Sequence, residues 1–112
     1  MKKIEAIIRP ENLEALKEAL RETDHAGLTV VEAKGHGVQR GVVTTVGSKE
    51  VVVDLLPKLY ITIVVNDHEV DRILDAIVRT SRSGNVGDGK VFVSAVEGVL
   101  RLRTGEKDTE AL

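Results

Sequence analysis

Three glycines, an aspartate and a lysine crowd into Gly84-Asn85-Val86-Gly87-Asp88-Gly89-Lys90, just ahead of a β-branched run. Glycines admit positive φ and let main-chain N–H groups approach a ligand, while a neighbouring lysine adds a point positive charge. An anion such as phosphate is the guest this chemistry suits. The spacing of Gly84, Gly89 and Lys90 fits the start of the common phosphate loop of nucleotide hydrolases, but Val91 stands where that motif needs a magnesium-binding hydroxyl. The stretch KVFVSAV that follows alternates as a strand does, whereas that loop must open a helix. The chain is therefore not a P-loop NTPase. Taken alone, the glycines also suit an ordinary helix-to-strand turn.

A second cationic feature is Arg101 with Arg103 in VLRLRTGE. Two apart on an expected strand, they project to the same side and offer rigid donors to a polyphosphate; a solvated charged face is the plainer alternative. Other constellations are weak. His25, His36 and His68 lack ligand spacing, and Asp67, Asp71 and Asp75 alternate with Arg72 and Arg79 as on a solvated helix face. Asp88 has two readings, a general base or an acceptor for local N–H groups in the turn.

These groups need a scaffold, and 112 residues suffice for one domain. A formal net charge of −2 and only two aromatic residues, Tyr60 and Phe92, argue against nucleic-acid binding. The absence of cysteine excludes disulfides and thiolate metal sites, and the start MKKIEAIIRPE supports neither a signal peptide nor a membrane helix. A soluble, cytoplasmic protein is expected.

Ile4, Ala6 and Ile8 alternate on a first strand that ends at Pro10, and Leu13, Leu16, Ala19 and Leu20 recur at helical spacing up to a stop at Gly27. LTVVEAKGHG is the second strand. The next segment, VQRGVVTTVGSKEVVVD, is a long excursion rich in β-branched residues, with Gly47 and Ser48 placed to turn a hairpin. KLYITIVVND gives another strand, and a helix buries Val70, Ile73, Leu74 and Ile77 behind an N-cap at Asp67. The glycine loop, its strand and a short last strand close the chain. Two β-α-β halves predict a ferredoxin-like α+β fold with an antiparallel sheet and both helices on one face. Strands apolar on both sides predict that a second copy covers the other face, hence a symmetric homo-oligomer.

The runs RSGNVGDGKVFVSAVEGVLRLRTGE and IEAIIRPENLEALKEAL, with GLTVVEAKGHGVQRG and DLLPK at the two ends of the excursion, resemble the PII signal-transduction proteins over essentially the whole chain. The resemblance implies a single PII-like domain, residues 1–112, with a T-loop near 37–55, a glycine-rich B-loop at 82–90 and a C-terminal loop at 102–112. It implies a homotrimer binding ATP or ADP in the clefts between neighbours. Gly87, Asp88, Gly89 and Lys90 would hold phosphates from one subunit, and Arg101 and Arg103 would reach in from the next. Thr29, Gly35, Gly37 and Val64 would line the adenine side. Gln39, Lys58 and Gly87 match positions for 2-oxoglutarate, with Gln39 also beside a magnesium ion shared with ATP. The T-loop would be the output, docking on a transporter or enzyme of nitrogen metabolism, without enzymatic activity of its own.

Several positions depart from the family pattern. Val38, a nucleotide-site position, stands where many relatives carry an arginine that contacts the nucleotide. Val51 replaces the tyrosine uridylylated in some members, so that modification is not expected, and Gly47 replaces the arginine that plugs ammonium channels. Ser83 stands for threonine. Two other functions stay open at this point: a ferredoxin-like sensor of a small anion or amino acid that needs no nucleotide, and a slow ATPase using Asp88 and Lys90.

Overall fold

The computed structural model describes residues 1–23, 27–36, 42–47, 49–53 and 55–112. Strand β1 (Lys2–Ile8) leads through a short 3-10 turn at Pro10–Asn12 into helix α1 (Leu13–Glu22). Next come β2 (Thr29–Gly35), β3 (Val42–Val46), β4 (Lys49–Val53) and β5 (Leu56–Val65). Helix α2 (Val70–Ser81) and β6 (Lys90–Ala95) complete the regular elements. The main sheet has the order β2-β5-β1-β6 with every pair antiparallel, which is the expected ferredoxin-like α+β arrangement.

The pleat sorts the sheet into two faces. Ile4, Ala6 and Ile8 on β1 sit beside Ile63, Ile61 and Leu59 on β5, all buried. They form one core with Leu16, Ala19 and Leu20 of α1 and Ile73, Ala76 and Ile77 of α2, so both helices cover this face. Burying a side chain of this size contributes roughly 1.5–3 kcal/mol, so this layer supplies the main stability of the fold. On the opposite face the register aligns Val31, Tyr60, Ile7 and Lys90 in one row and Thr29, Thr62, Glu5 and Phe92 in the next. Val31 is 52% exposed and Phe92 50%, large apolar groups that helices of this chain leave open.

Among the described residues β3 and β4 pair only with each other, as a hairpin in the register Val46 with Lys49. Gly47 enters its turn at φ +64, with open space around a would-be Cβ. Such a left-handed residue costs an ordinary L-amino acid about 1–2 kcal/mol, and β-branched ones most. Gly47→Val is therefore expected to loosen the hairpin and speed proteolytic clipping within residues 42–53, while Gly47→Asn leaves the rate near wild type.

Three boundaries differ from the sequence expectation. α1 stops at Glu22, well before Gly27, because buried Thr23 turns its hydroxyl back to donate to the Leu20 carbonyl at 2.6 Å. Asp67 does not cap α2: a 3-10 turn, Asp67–Glu69, intervenes, and the Asp67 carboxylate instead meets the Met1 ammonium at 2.9 Å. That hydrogen bond and charge hold its carboxyl below the usual range. The expected last strand is absent too. Leu100 and Lys107 form an isolated bridge around a reverse turn, in which the Gly105 N–H donates to the Arg101 carbonyl at 2.8 Å. Gly105 at φ +75 permits that turn, and Leu102 is left 94% exposed.

Candidate functional site

The glycine loop is built by an aspartate. After α2 ends at Ser81, the Asp88 carboxylate accepts from the Ser83 N–H at 2.8 Å, the Gly84 N–H at 2.9 Å, and the Ser83 hydroxyl. Arg9, at the end of β1, completes the knot. Its Nη1 pairs with the Asp88 carboxylate and donates to Ser83 Oγ at 3.1 Å, and its Nη2 donates to the Val86 carbonyl at 2.8 Å. The Ser83 hydroxyl, aided by the N–H groups of Ser83 and Gly84 and by Arg9, holds the Asp88 carboxyl far below its usual range, against a smaller desolvation effect. Of its two sequence readings, the local acceptor is the one the geometry bears out. A carboxylate so fully engaged is a poor proton acceptor.

The sign of that shift gives a pH signature. A carboxyl with a depressed folded-state pKa contributes stability above its unfolded value of about 3.9 and loses it as pH falls from there toward the folded value. Asp88→Asn is expected to melt below wild type at pH 7, and the gap should narrow steadily below about pH 4. Melting curves of both proteins between pH 7 and pH 2 check this.

Gly87 and Gly89 take φ +102 and +97. A Cβ on Gly89 would lie 1.7 Å from the Ile7 carbonyl oxygen, so the loop hugs β1 where only glycine fits. Lys90 then opens β6, exposed on the uncovered face. Beside the loop, buried Lys58 of β5 donates from Nζ to the Gly87 carbonyl at 2.8 Å. Its stem packs on Gly35, where an added Cβ would lie 3.1 Å from Lys58 Cγ. Gly35, Lys58, Gly87 and Gly89 are thus assembled at one end of the sheet.

The remaining candidates are elsewhere. Thr29 pairs with Thr62 at the other end of β2, about 20 Å from Gly35 at the strand rise, and Val64 lies further along the same uncovered face. β6 likewise carries the chain about 17 Å from Lys90 to Ala95, where the Val96 N–H donates to the Met1 carbonyl. Arg101 and Arg103 follow in the C-terminal turn and do not share a strand face as expected. Arg101 is half-buried, donating to Glu106 Oε1 and to the main-chain oxygens of Ala111 and Leu112, each at 3.2 Å. Arg103 is exposed and has no ion pair among the described residues. Gly37, Val38 and Gln39, with His25, lie outside the described residues. Among the described residues no group of His, Asp and Glu side chains is placed to hold a metal, and no helix is long and apolar enough to cross a membrane.

Sequence reasoning missed Arg9, whose partner Asp88 is 79 positions away; only its place between a strand end and Pro10 marked it. Gly87 and Lys58, which the family resemblance groups, meet through the hydrogen bond from Lys58 Nζ to the Gly87 carbonyl.

Fold and site together define a ferredoxin-like α+β protein with an aspartate-braced glycine loop and an exposed lysine at one end of its sheet. The family model described as nitrogen regulatory protein P-II matches residues 1–106. The chain is 50% identical to the nitrogen regulatory protein P-II of Bradyrhizobium diazoefficiens and 48% identical to that of Nostoc punctiforme, in each case across all of both chains. It is also 46% identical to the nitrogen regulatory protein P-II 2 of Methanothermobacter thermautotrophicus, over all of this chain and 97% of that relative. The chain belongs to the P-II family of nitrogen regulatory proteins, which are signalling regulators.

Proposed function

We propose that this protein is a non-enzymatic, cytoplasmic sensor that binds ATP or ADP in clefts between the subunits of a homotrimer. In this reading it binds 2-oxoglutarate with magnesium beside ATP and controls a nitrogen-metabolism enzyme or transporter through residues 37–55. The observation that carries it is the division of the candidate groups. Gly35, Lys58 and Gly87 to Lys90 stand at one end of the sheet, and Thr29 and Val64 at the other, where β6 delivers the chain toward Arg101 and Arg103. Neighbouring protomers that set opposite ends of their sheets together would bring both sets of groups to one nucleotide. The exposed apolar row with Val31 and the adjacent Phe92 supports burial of this face against other copies.

Lys58 supplies the route from ligand to output. It holds Gly87 of the phosphate loop and packs on Gly35 at the T-loop base, so a keto-acid carboxylate that draws its ammonium away from the Gly87 carbonyl changes both. A slow ATPase is disfavoured because Asp88, its best base, is consumed by the loop's own donors. Titration calorimetry with ATP, ADP and 2-oxoglutarate, with and without magnesium, tests the proposal. Nucleotide binding, with 2-oxoglutarate binding only when magnesium and ATP are present, is expected. Binding of an amino acid or anion alone, with no response to either nucleotide, overturns it in favour of a nucleotide-independent sensor.

A further inference from the structure

The two arginines of the C-terminal turn are not equivalent. Arg103 is exposed with no ion pair among the described residues, whereas the Arg101 guanidinium is already engaged by an anion of its own chain: Nη1 donates to Glu106 Oε1 at 3.2 Å. The carboxylate is itself fixed. The Thr104 hydroxyl donates to the same Oε1 at 2.7 Å, and the Glu106 N–H donates back to Thr104 Oγ1 at 3.2 Å. The main chain braces this arrangement, since the Arg101 N–H donates to the Glu106 carbonyl at 2.9 Å. Meanwhile Nη2 of Arg101 donates to the main-chain oxygens of Ala111 and Leu112. An arginine fork has few donors to spare, and a carboxylate oxygen is chemically close to a phosphate oxygen.

We infer that Glu106 is an affinity-setting residue, an internal stand-in for phosphate that a nucleotide must displace from Arg101. The inference rests on the nucleotide-binding reading above and deepens it. Glu106 lowers affinity twice: it occupies the guanidinium in the empty protein, and its negative charge stays close to the incoming phosphates. Both partners are about two-fifths exposed, 36% and 39%, so solvent and salt screen the pair and the effect is modest. The opposite role is a real competitor. If Glu106 instead aims Arg101 at the ligand, as a carboxylate orients a guanidinium in many sites, removing it weakens binding.

ATP titrations of wild type, Glu106→Gln, Arg101→Gln and the double variant, in low salt, separate these roles. Glu106→Gln is expected to bind ATP roughly two- to fivefold more tightly than wild type. The same substitution in the Arg101→Gln background is expected to change affinity far less, because the stand-in then has nothing to occupy. Unchanged or weaker binding by Glu106→Gln overturns the inference, and so does an equal gain without Arg101, which would mark a general charge effect. Failure of the wild type to bind ATP is a different result, and it overturns the nucleotide reading itself. Thr104→Val, which frees Glu106 without removing charge, is expected to fall between wild type and Glu106→Gln.

Discussion

Gly89→Ala is expected to destabilise the protein by about 2–5 kcal/mol. Two costs combine. At φ +97 any L-residue is strained, by about 1–2 kcal/mol. The new Cβ would also fall 1.7 Å from the Ile7 carbonyl oxygen, which is rigid backbone in a paired strand and cannot yield as a side chain tip would. Ile7 faces Lys90 in the last rung between β1 and β6, so relief must prise that rung apart, and overpacking of this kind costs about 1–3 kcal/mol. Gly84 is the internal control. It has φ +86 but open space around a Cβ, so Gly84→Ala should show only the strain, about 1–2 kcal/mol. Urea unfolding of the two variants beside wild type measures the difference; equal losses would mean that the contact with β1 is unimportant.

The second large effect concerns binding. Lys90 and Arg103 are exposed and form no ion pair among the described residues, so neutralising them should leave the melting temperature near wild type. In the nucleotide reading each forms a charge-assisted hydrogen bond to phosphate, worth about 1.5–3 kcal/mol. Lys90→Gln and Arg103→Gln together should therefore weaken ATP binding by roughly two to four orders of magnitude, and each alone by about ten- to a hundredfold. Calorimetry in low salt reads this directly. Retention within threefold of wild type by the double variant would remove both residues from the phosphate site.

Much of this arrangement is legible in the sequence because the signals are local. Ile4, Ala6 and Ile8 alternate in sequence and are buried together, and Ile73 and Ile77 keep the helical spacing that sets them in the same core. The excess of β-branched residues in the excursion foretold the β3–β4 hairpin, whose turn needs Gly47 at positive φ. What escaped depends on distant partners. Alternation in Leu100-Arg101-Leu102-Arg103 resembles a strand, but the turn through Gly105 folds that segment on itself and no sheet edge receives it. Asp67 has the chemistry of an N-cap, yet its carboxylate meets the Met1 ammonium at 2.9 Å, a partner 66 positions away that local spacing does not reveal. The role of Asp88 was half visible: the turn was expected, but Arg9 could not be chosen from sixteen basic residues without the sheet that brings β1 beside β6.

The central claim is that one nucleotide is gripped by two protomers, with the lysine from one and the arginine from its neighbour. Mixing Lys90→Gln protein with Arg103→Gln protein, unfolding and refolding them together, tests it by counting high-affinity ATP sites. A shared cleft predicts that about a quarter of the sites regain wild-type affinity, since some interfaces then join an intact lysine to an intact arginine. A site built within one chain predicts that none do, and that result, in mixed oligomers of confirmed composition, would contradict the account.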